Sequence, residues 1–382
     1  MKSKARIILD AYNGLLRACG NKLRVTPAEN ASGVLERRVL LPAGEQSGVN
    51  PLELHFNGPE TANCDSKWPN AELFRLKDVW LTGDQGQVFL DDGSLFDPWV
   101  WPYELRVLKI YRPLKLGARR WSGPPLFHLT GRNHDNRGHF MIEHLPRLMA
   151  ARDYLRSLPD YRILTAPGHG RWQSRYVEFV GLDPAKVIEG TQGTMRVDEL
   201  IFVPNMFTGG GLCAPHFYAE LSKCAATAPV PDGPGRALFI TRKDAPDKQL
   251  LNEDRIVEIL RSRVGDVDVI SLGKYSMAQQ IGMFRSAPLI MGPIGQGLCN
   301  VLFTHDSLCV ILTPGSVEHP VHGTAHASQL ARLCGSSSLT FLSGETLPSR
   351  ANWSFPEQRF TELLDQMLQR PEAARLKHPC RE

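Results

Sequence analysis

Leu289-Ile290-Met291-Gly292-Pro293-Ile294-Gly295-Gln296-Gly297-Leu298-Cys299-Asn300 passes from an apolar strand through a glycine turn into the start of a helix. A short apolar run closed by small residues and followed by helical spacing marks a strand-to-helix turn. The same cycle repeats on both sides of it. Upstream, Ala237–Ile240 reads as a strand, Asn252–Arg263 as a helix, Val267–Ile270 as a strand and Ser276–Arg285 as a helix. Downstream, Cys309–Leu312 reads as a strand and His326–Cys334 as a helix. Strands alternating with helices imply a parallel sheet covered by helices on its faces.

An earlier stretch shows the same alternation. Leu126–Leu129, Arg162–Leu164, Val187-Ile188 and Leu200–Val203 read as strands, with helices predicted over 137–156 and Trp172–Gly181. A Pro/Gly-rich link at 229–235 separates the two series and is the best boundary in the chain. Residues 38–115 look β-rich: Phe74–Leu81, the turn Gly83–Gly86 and Val88–Leu90 read as meander strands. Asp91-Asp92-Gly93-Ser94 reads as a hairpin turn rather than a metal pair. The expected class is therefore α/β, with two Rossmann-like parallel-sheet domains facing a cleft and a β-rich N-terminal lead-in. The predicted divisions are a basic segment over 1–36, the lead-in with the first Rossmann-like domain over 37–230, and the second, ending in a helix, over 231–382. Ligands of such domains bind at the carboxyl ends of the strands.

Composition narrows the classes. With 382 residues, 42% hydrophobic and 22% charged, the chain is ordinary globular material, large enough for two domains of ~100–200 residues each. Its net charge of +4 is too mild to imply a nucleic-acid partner. No stretch reaches the ~20 apolar residues of a membrane span, and Asp10 interrupts the run Ile7-Ile8-Leu9, so no signal peptide is expected. Cysteines at 19, 64, 213, 224, 299, 309, 334 and 380 form no C-x-x-C, which fits reduced, structural thiols in a cytoplasmic protein. The charge is concentrated at the start. Lys2, Lys4, Arg6, Arg17, Lys22 and Arg24 face a single Asp10, with Ile7, Ile8, Ala11, Leu15 and Leu16 near helical spacing. Such a segment, over residues 1–25, can lie on the inner face of an anionic membrane or pack on its own domain.

Three clusters carry candidate chemistry. In Asn133-His134-Asp135-Asn136-Arg137-Gly138-His139, Asn136 is a good N-cap, which places His139 and Glu143 at i and i+4 on one helix face. A neutral imidazole beside a carboxylate at a helix start is the arrangement of a general base. A plain first-turn capping histidine fits the same residues. The glycine turn at Gly295-Gln296-Gly297 lets backbone N–H groups approach an anion at the positive helix end. Thr241-Arg242-Lys243-Asp244 ends a strand, where Arg242 can grip two phosphate oxygens, or pair with Asp244. Asp266-Val267-Asp268 spells the D-x-D of metal-dependent sugar transferases but lies at the amino end of its strand, away from the expected cleft. His319, His322 and His326 are interrupted by Pro320 and Gly323 and read as surface or cleft residues rather than a metal site.

Taken in order, these clusters resemble glycosyltransferase family 61. Asn136-Arg137-Gly138-His139, Glu143 and Leu145-Pro146-Arg147-Leu148 match its N-x-x-H, acidic and L-P-R-L elements. Thr241–Asp244 with Leu251-Asn252-Glu253, and Gly292–Phe303, match its second and third. The resemblance implies a GT-B fold and inverting, metal-independent transfer from a nucleotide sugar, UDP-linked and bound mainly by the C-terminal domain. It implies no further cofactor and a glycan or lipid-linked acceptor, as in capsular-polysaccharide biosynthesis. Ile294 stands where the family has His, and Gln296 where it has Ala. On this reading His139 and Glu143 are catalytic, and Asn136, Arg242, Lys243, Asn252, Glu253, Gly295, Gln296, Gly297 and Asn300 bind substrate. A nucleotide-sugar epimerase of the same architecture, or a non-catalytic nucleotide- or glycan-binding subunit of a polysaccharide assembly complex, are the alternative readings.

Overall fold

A computed structural model describes residues 4–18, 23–46, 52–55, 59–62, 66–68, 70–99, 110–204, 215–231, 235–316, 330–331, 334–348 and 350–377. The chain divides into two compact units, Met1–Gly44 with Trp68–Phe207 and Glu45–Lys67 with Thr208–Glu382. Each is a mixed α/β structure containing a sheet with parallel strands. His319, His322, His326, Cys19, Cys64, Cys213 and Cys380 lie outside the described residues, as does most of the helix expected at 326–334.

The first unit begins with α1 (Lys4–Ala18) and is organised by the long strand β1 (Ala71–Thr82), with β2 (Gln87–Phe89) antiparallel beside it. β3 (Leu126–His128), α2 (Leu145–Ser157), β4 (Arg162–Thr165), α3 (Gly170–Phe179), β5 (Val187–Glu189) and β6 (Thr194–Phe202) follow. Across the centre of the sheet the order is β2–β1–β6–β3–β4–β5. The last four of these run parallel, and β1 opposes β6. Phe74, Val79, Phe89, Phe96, Leu126 and Phe202 are fully buried in its core, each contributing about 1.5–3 kcal/mol of transfer free energy. Asp92 accepts hydrogen bonds from the Ser94 amide (2.9 Å) and hydroxyl (2.6 Å), closing the turn expected there.

The second unit holds β7 (Ala237–Ile240), α4 (Glu253–Val264), β8 (Val267–Ile270), α5 (Met277–Ser286), β9 (Leu289–Pro293), β10 (Leu308–Ser316), β11 (Ser337–Leu347) and α6 (Glu357–Leu368). Local signals set the helix limits. Ser276 and Gln279 form a capping box at the start of α5, and Gly265, at φ 83°, ends α4. The strands run parallel in the order β8–β7–β9–β10–β11, so the direction of winding reverses between β7 and β9. A ligand crevice forms at such a switch point in open α/β sheets. A hairpin, Leu52–His55 with Pro59–Ala62, extends the sheet beyond β11. Phe239, Met291, Val310, Phe341, Trp353 and Phe360 form its core. Cys309 and Cys334 are free and buried within this unit, and burial pushes both thiols up to about 12.

Candidate active site

The loop leaving β3 carries the first cluster. Asn136 caps the following helix, its side-chain oxygen accepting from the amides of Gly138 (3.0 Å) and His139 (3.2 Å). The helix expected over 137–156 is continuous but changes pitch. An α-turn at Arg137–His139 gives way to a π-turn at Phe140–His144 and then to α2. Pro146 has no N–H to give Ile142, and its ring crowds that turn, which favours the wider winding seen just before it. His139 still reaches Glu143, and its Nδ1 is hydrogen-bonded to Glu143 Oε1. Glu143 is 2% exposed, whereas the His139 side chain is 39% exposed. With Nδ1–H donating to the buried carboxylate, Nε2 is the ring nitrogen left to accept a proton. Glu143 Oε2 is buried without a hydrogen-bond partner.

Beneath this pair lies a feature that the sequence did not disclose. Arg147, 3% exposed, spreads its guanidinium over five acceptors. Nε donates to Val203 O (2.6 Å), Nη1 to Thr130 O (3.0 Å) and His144 Nδ1 (3.1 Å), and Nη2 to His128 O (2.8 Å) and His128 Nδ1 (3.3 Å). One side chain thereby ties α2 to the chain just beyond β3 and β6. Burial lowers its pKa to about 9, which leaves it charged at neutral pH. Because Arg147 donates to both Nδ1 atoms, the Nε2–H groups of His128 and His144 donate to Gly86 O (2.7 Å) and Arg132 O (2.9 Å). Burial, with the Arg147 charge, lowers the pKa of His128 to about 3 and that of His144 well below its ordinary value. Both imidazoles are held neutral. Trp172 on α3 packs against Phe140 (5.0 Å between centroids), with the Arg137 guanidinium 5.8 Å over its ring.

In the second unit the other two clusters meet at the carboxyl ends of adjacent strands. Arg242 follows β7, and the turn 294–297 follows β9. The guanidinium lies on Gly295, where an added Cβ would stand 1.9 Å from Nη1, and a Cβ added at Gly292 would stand 2.6 Å from Ile240 O. Arg242 Nη2 bonds Asp247 O (3.1 Å) and lies 3.5 Å from its carboxylate, while buried Nε has no partner. Burial lowers the Arg242 pKa, opposed by Asp247 and Asp244. Gly295 is extended (φ 176°), and Gln296–Phe303 winds as a 3₁₀ helix whose first amides have no intrahelical acceptors. Gln296 is exposed, and Asn300 Nδ2 donates to Gly297 O (2.9 Å).

The remaining candidates serve their surroundings. Lys243 pairs with Asp254 at the surface. Asn252 is bound in both directions to the Phe355 backbone, through its Nδ2 (2.8 Å) and Oδ1 (3.0 Å). Glu253, 1% exposed, accepts from the Thr241 hydroxyl (2.5 Å) and the Arg242 amide (3.4 Å); burial raises its pKa. It thus braces the backbone that presents Arg242. Asp268 lies 3.0 Å and Asp266 3.8 Å from Arg236, at the opposite, amino end of the sheet. Among the described residues no cluster of three or more His, Cys, Asp or Glu could hold a metal.

Lys248 belongs with the Arg242 group and carries no motif signal. It is half-buried at φ 56°, in the left-handed region that a lysine rarely occupies. Its ammonium has no hydrogen-bond or ion-pair partner among the described residues. Burial and the Arg242 charge both lower its pKa. Arg350, 3.8 Å from Asp247, adds a third cation to the group.

The first unit thus carries a His–Glu pair at a helix start, and the second a cationic, glycine-lined strand switch point. Residues 138–311 match the family model described as Glycosyltransferase 61. No curated protein matches the chain.

Proposed function

We propose that the protein is an inverting, metal-independent glycosyltransferase of GT-B architecture, moving a sugar from a UDP-linked donor to a hydroxyl of a glycan or lipid-linked acceptor. The observation that carries this reading is the half-exposed His139 held through Nδ1 by the buried Glu143. Nε2 of His139 takes the proton of the acceptor hydroxyl as that oxygen bonds to the anomeric carbon. The bond from the anomeric carbon to the diphosphate oxygen breaks, and its electron pair leaves with the nucleotide. Glu143 keeps the ring oriented and stabilises the imidazolium as it forms. Arg242, the neighbouring Lys248 and the amides at Gly295–Gly297 meet the charge that accumulates on the diphosphate. Asn136 builds the turn that presents His139. Ile294 bonds the β10 backbone through its amide (to Leu312 O, 2.8 Å) and offers the donor no imidazole.

The test is nucleotide release from a panel of UDP-sugars with and without glycan acceptors, together with thermal shift on nucleoside diphosphates. Acceptor-dependent release, lowered ~10²–10⁴-fold in His139→Ala with nucleotide affinity kept, is expected. Isomerisation of donor without acceptor would identify an epimerase. Nucleotide binding with neither transfer nor hydrolysis would identify a binding subunit.

A further inference from the structure

Among the described residues, the buried side chains of helix α1 lie along one side. Leu9 and Asn13, one turn apart, are buried, and Asn13 is bonded to the Arg112 backbone through both its Nδ2 (3.2 Å) and its Oδ1 (2.6 Å). On the opposite side Ile7, Ala11, Leu15 and Ile8 share an arc of about 100°. All four are exposed, the three large aliphatics at 57%, 63% and 56% for Ile7, Leu15 and Ile8. Lys4 is the one charge on that arc. Scattered single apolar residues on a surface need no explanation, but a strip repeating at helical spacing does.

The sign of the surrounding charge selects the occupant. Residues 1–25 contain six basic side chains and one acid, against a net +4 for the whole chain. Arg24 is engaged by Asp92; Lys2, Lys4, Arg6, Arg17 and Lys22 outnumber Asp10 in the rest of the segment. A second copy of the helix would bring like charge to like charge, which opposes self-pairing. An anionic bilayer supplies both what the apolar strip and what the basic residues require. We propose that α1 docks on an anionic lipid surface, lying in its plane with Ile7, Ile8 and Leu15 at the boundary of headgroups and acyl chains. At 15 residues the helix is about 22 Å long. No helix among the described residues is long and apolar enough to cross a membrane, so this contact is peripheral. The proposal does not depend on the catalytic reading.

The experiment is co-sedimentation of the full chain with vesicles of neutral phosphatidylcholine, alone or mixed with anionic phosphatidylglycerol, at low and high salt. Binding to the anionic vesicles that weakens with salt is expected. The double variant Ile8→Glu/Leu15→Glu should cut that binding about tenfold or more while leaving melting temperature and nucleotide binding unchanged, because both side chains point away from the unit. Failure of the unaltered chain to bind anionic vesicles at low salt overturns the proposal. So does undiminished binding by the double variant, or a dimer that the same substitutions dissolve in the absence of vesicle binding.

Discussion

The guanidinium of Arg242 rests on the Cα of Gly295, joining two segments more than fifty residues apart: a Cβ at Gly295 would lie 1.9 Å from Nη1 and 2.7 Å from Cζ. Gly295 is therefore a glycine for reasons of space. Its φ of 176° is open to any residue, so an alanine there strains no backbone but must push Arg242 aside. Gly295→Ala should leave the melting temperature nearly unchanged and weaken nucleoside diphosphate binding ~10–100-fold, the loss of about one charge-assisted hydrogen-bonding group. Calorimetric titration with UDP against uridine checks it. Equal losses for both ligands would place the effect on the nucleoside instead.

Lys248 separates stability from binding. A lysine at φ 56° with an unpartnered ammonium beside Arg242 gives the fold little, and glycine accepts that backbone without penalty. Lys248→Gly is expected to keep or slightly raise the melting temperature while reducing diphosphate affinity roughly tenfold and flattening its salt dependence. Titration at two ionic strengths decides it; unchanged affinity at low salt would remove Lys248 from the phosphate-binding group.

What the sequence discloses and what it hides follow from range. The strands between 237 and 312 are legible because buried parallel strands are continuous apolar runs, and Gly292–Gly297 breaks such a run where a helix starts. The His139–Glu143 pair is legible because its spacing is local and survives the π-turn, which no residue pattern announced beyond Pro146. The hairpin at 52–62 is not legible, since its partner β11 lies at the far end of the chain and parallel pairing leaves no local trace. Asn252 looks like a polar ligand in sequence, but it is bound to the backbone of Phe355, a hundred residues away. Arg147 is spelled in a motif, yet only the fold shows that its five bonds end on protein atoms. Lys248 is invisible because the sign of φ is not written in a lysine.

The Arg147 hub makes the first unit acid-sensitive. His128 is held neutral with its pKa lowered from 6.5 to about 3, and His144 is lowered well below 6.5. Below pH 6.5 the unfolded chain binds these protons and the folded chain does not, so stability falls as the pH falls through the window from 6.5 towards 3. His128 alone costs about 1.4 kcal/mol per pH unit there, or about 2 kcal/mol between pH 6.5 and pH 5, and His144 adds to the loss in the same direction. Urea unfolding at pH 7 and pH 5 measures it. His144→Asn should lower stability at pH 7 but make the slope shallower; a slope that the substitution leaves intact would point to other groups.

The dyad predicts a trade between stability and rate. Glu143 is a buried carboxylate whose Oε2 has no partner, an arrangement that burdens the fold and is explained by what its Oε1 does for His139. Glu143→Gln removes the charge but keeps the shape and an oxygen able to accept from Nδ1–H. The melting temperature should hold or rise. Turnover should fall ~10²-fold or more, because the imidazolium formed in the transition state loses its counter-charge, while donor affinity stays close to wild type. If Glu143 instead only packs, turnover and stability will move together, both falling in Glu143→Ala and both recovering in Glu143→Gln. If Glu143 itself takes the acceptor proton, His139→Ala will retain most of the turnover that Glu143→Gln loses. Steady-state kinetics of the three variants, with donor affinity measured separately by titration, distinguish these outcomes by which substitution costs kcat and which costs only the fold.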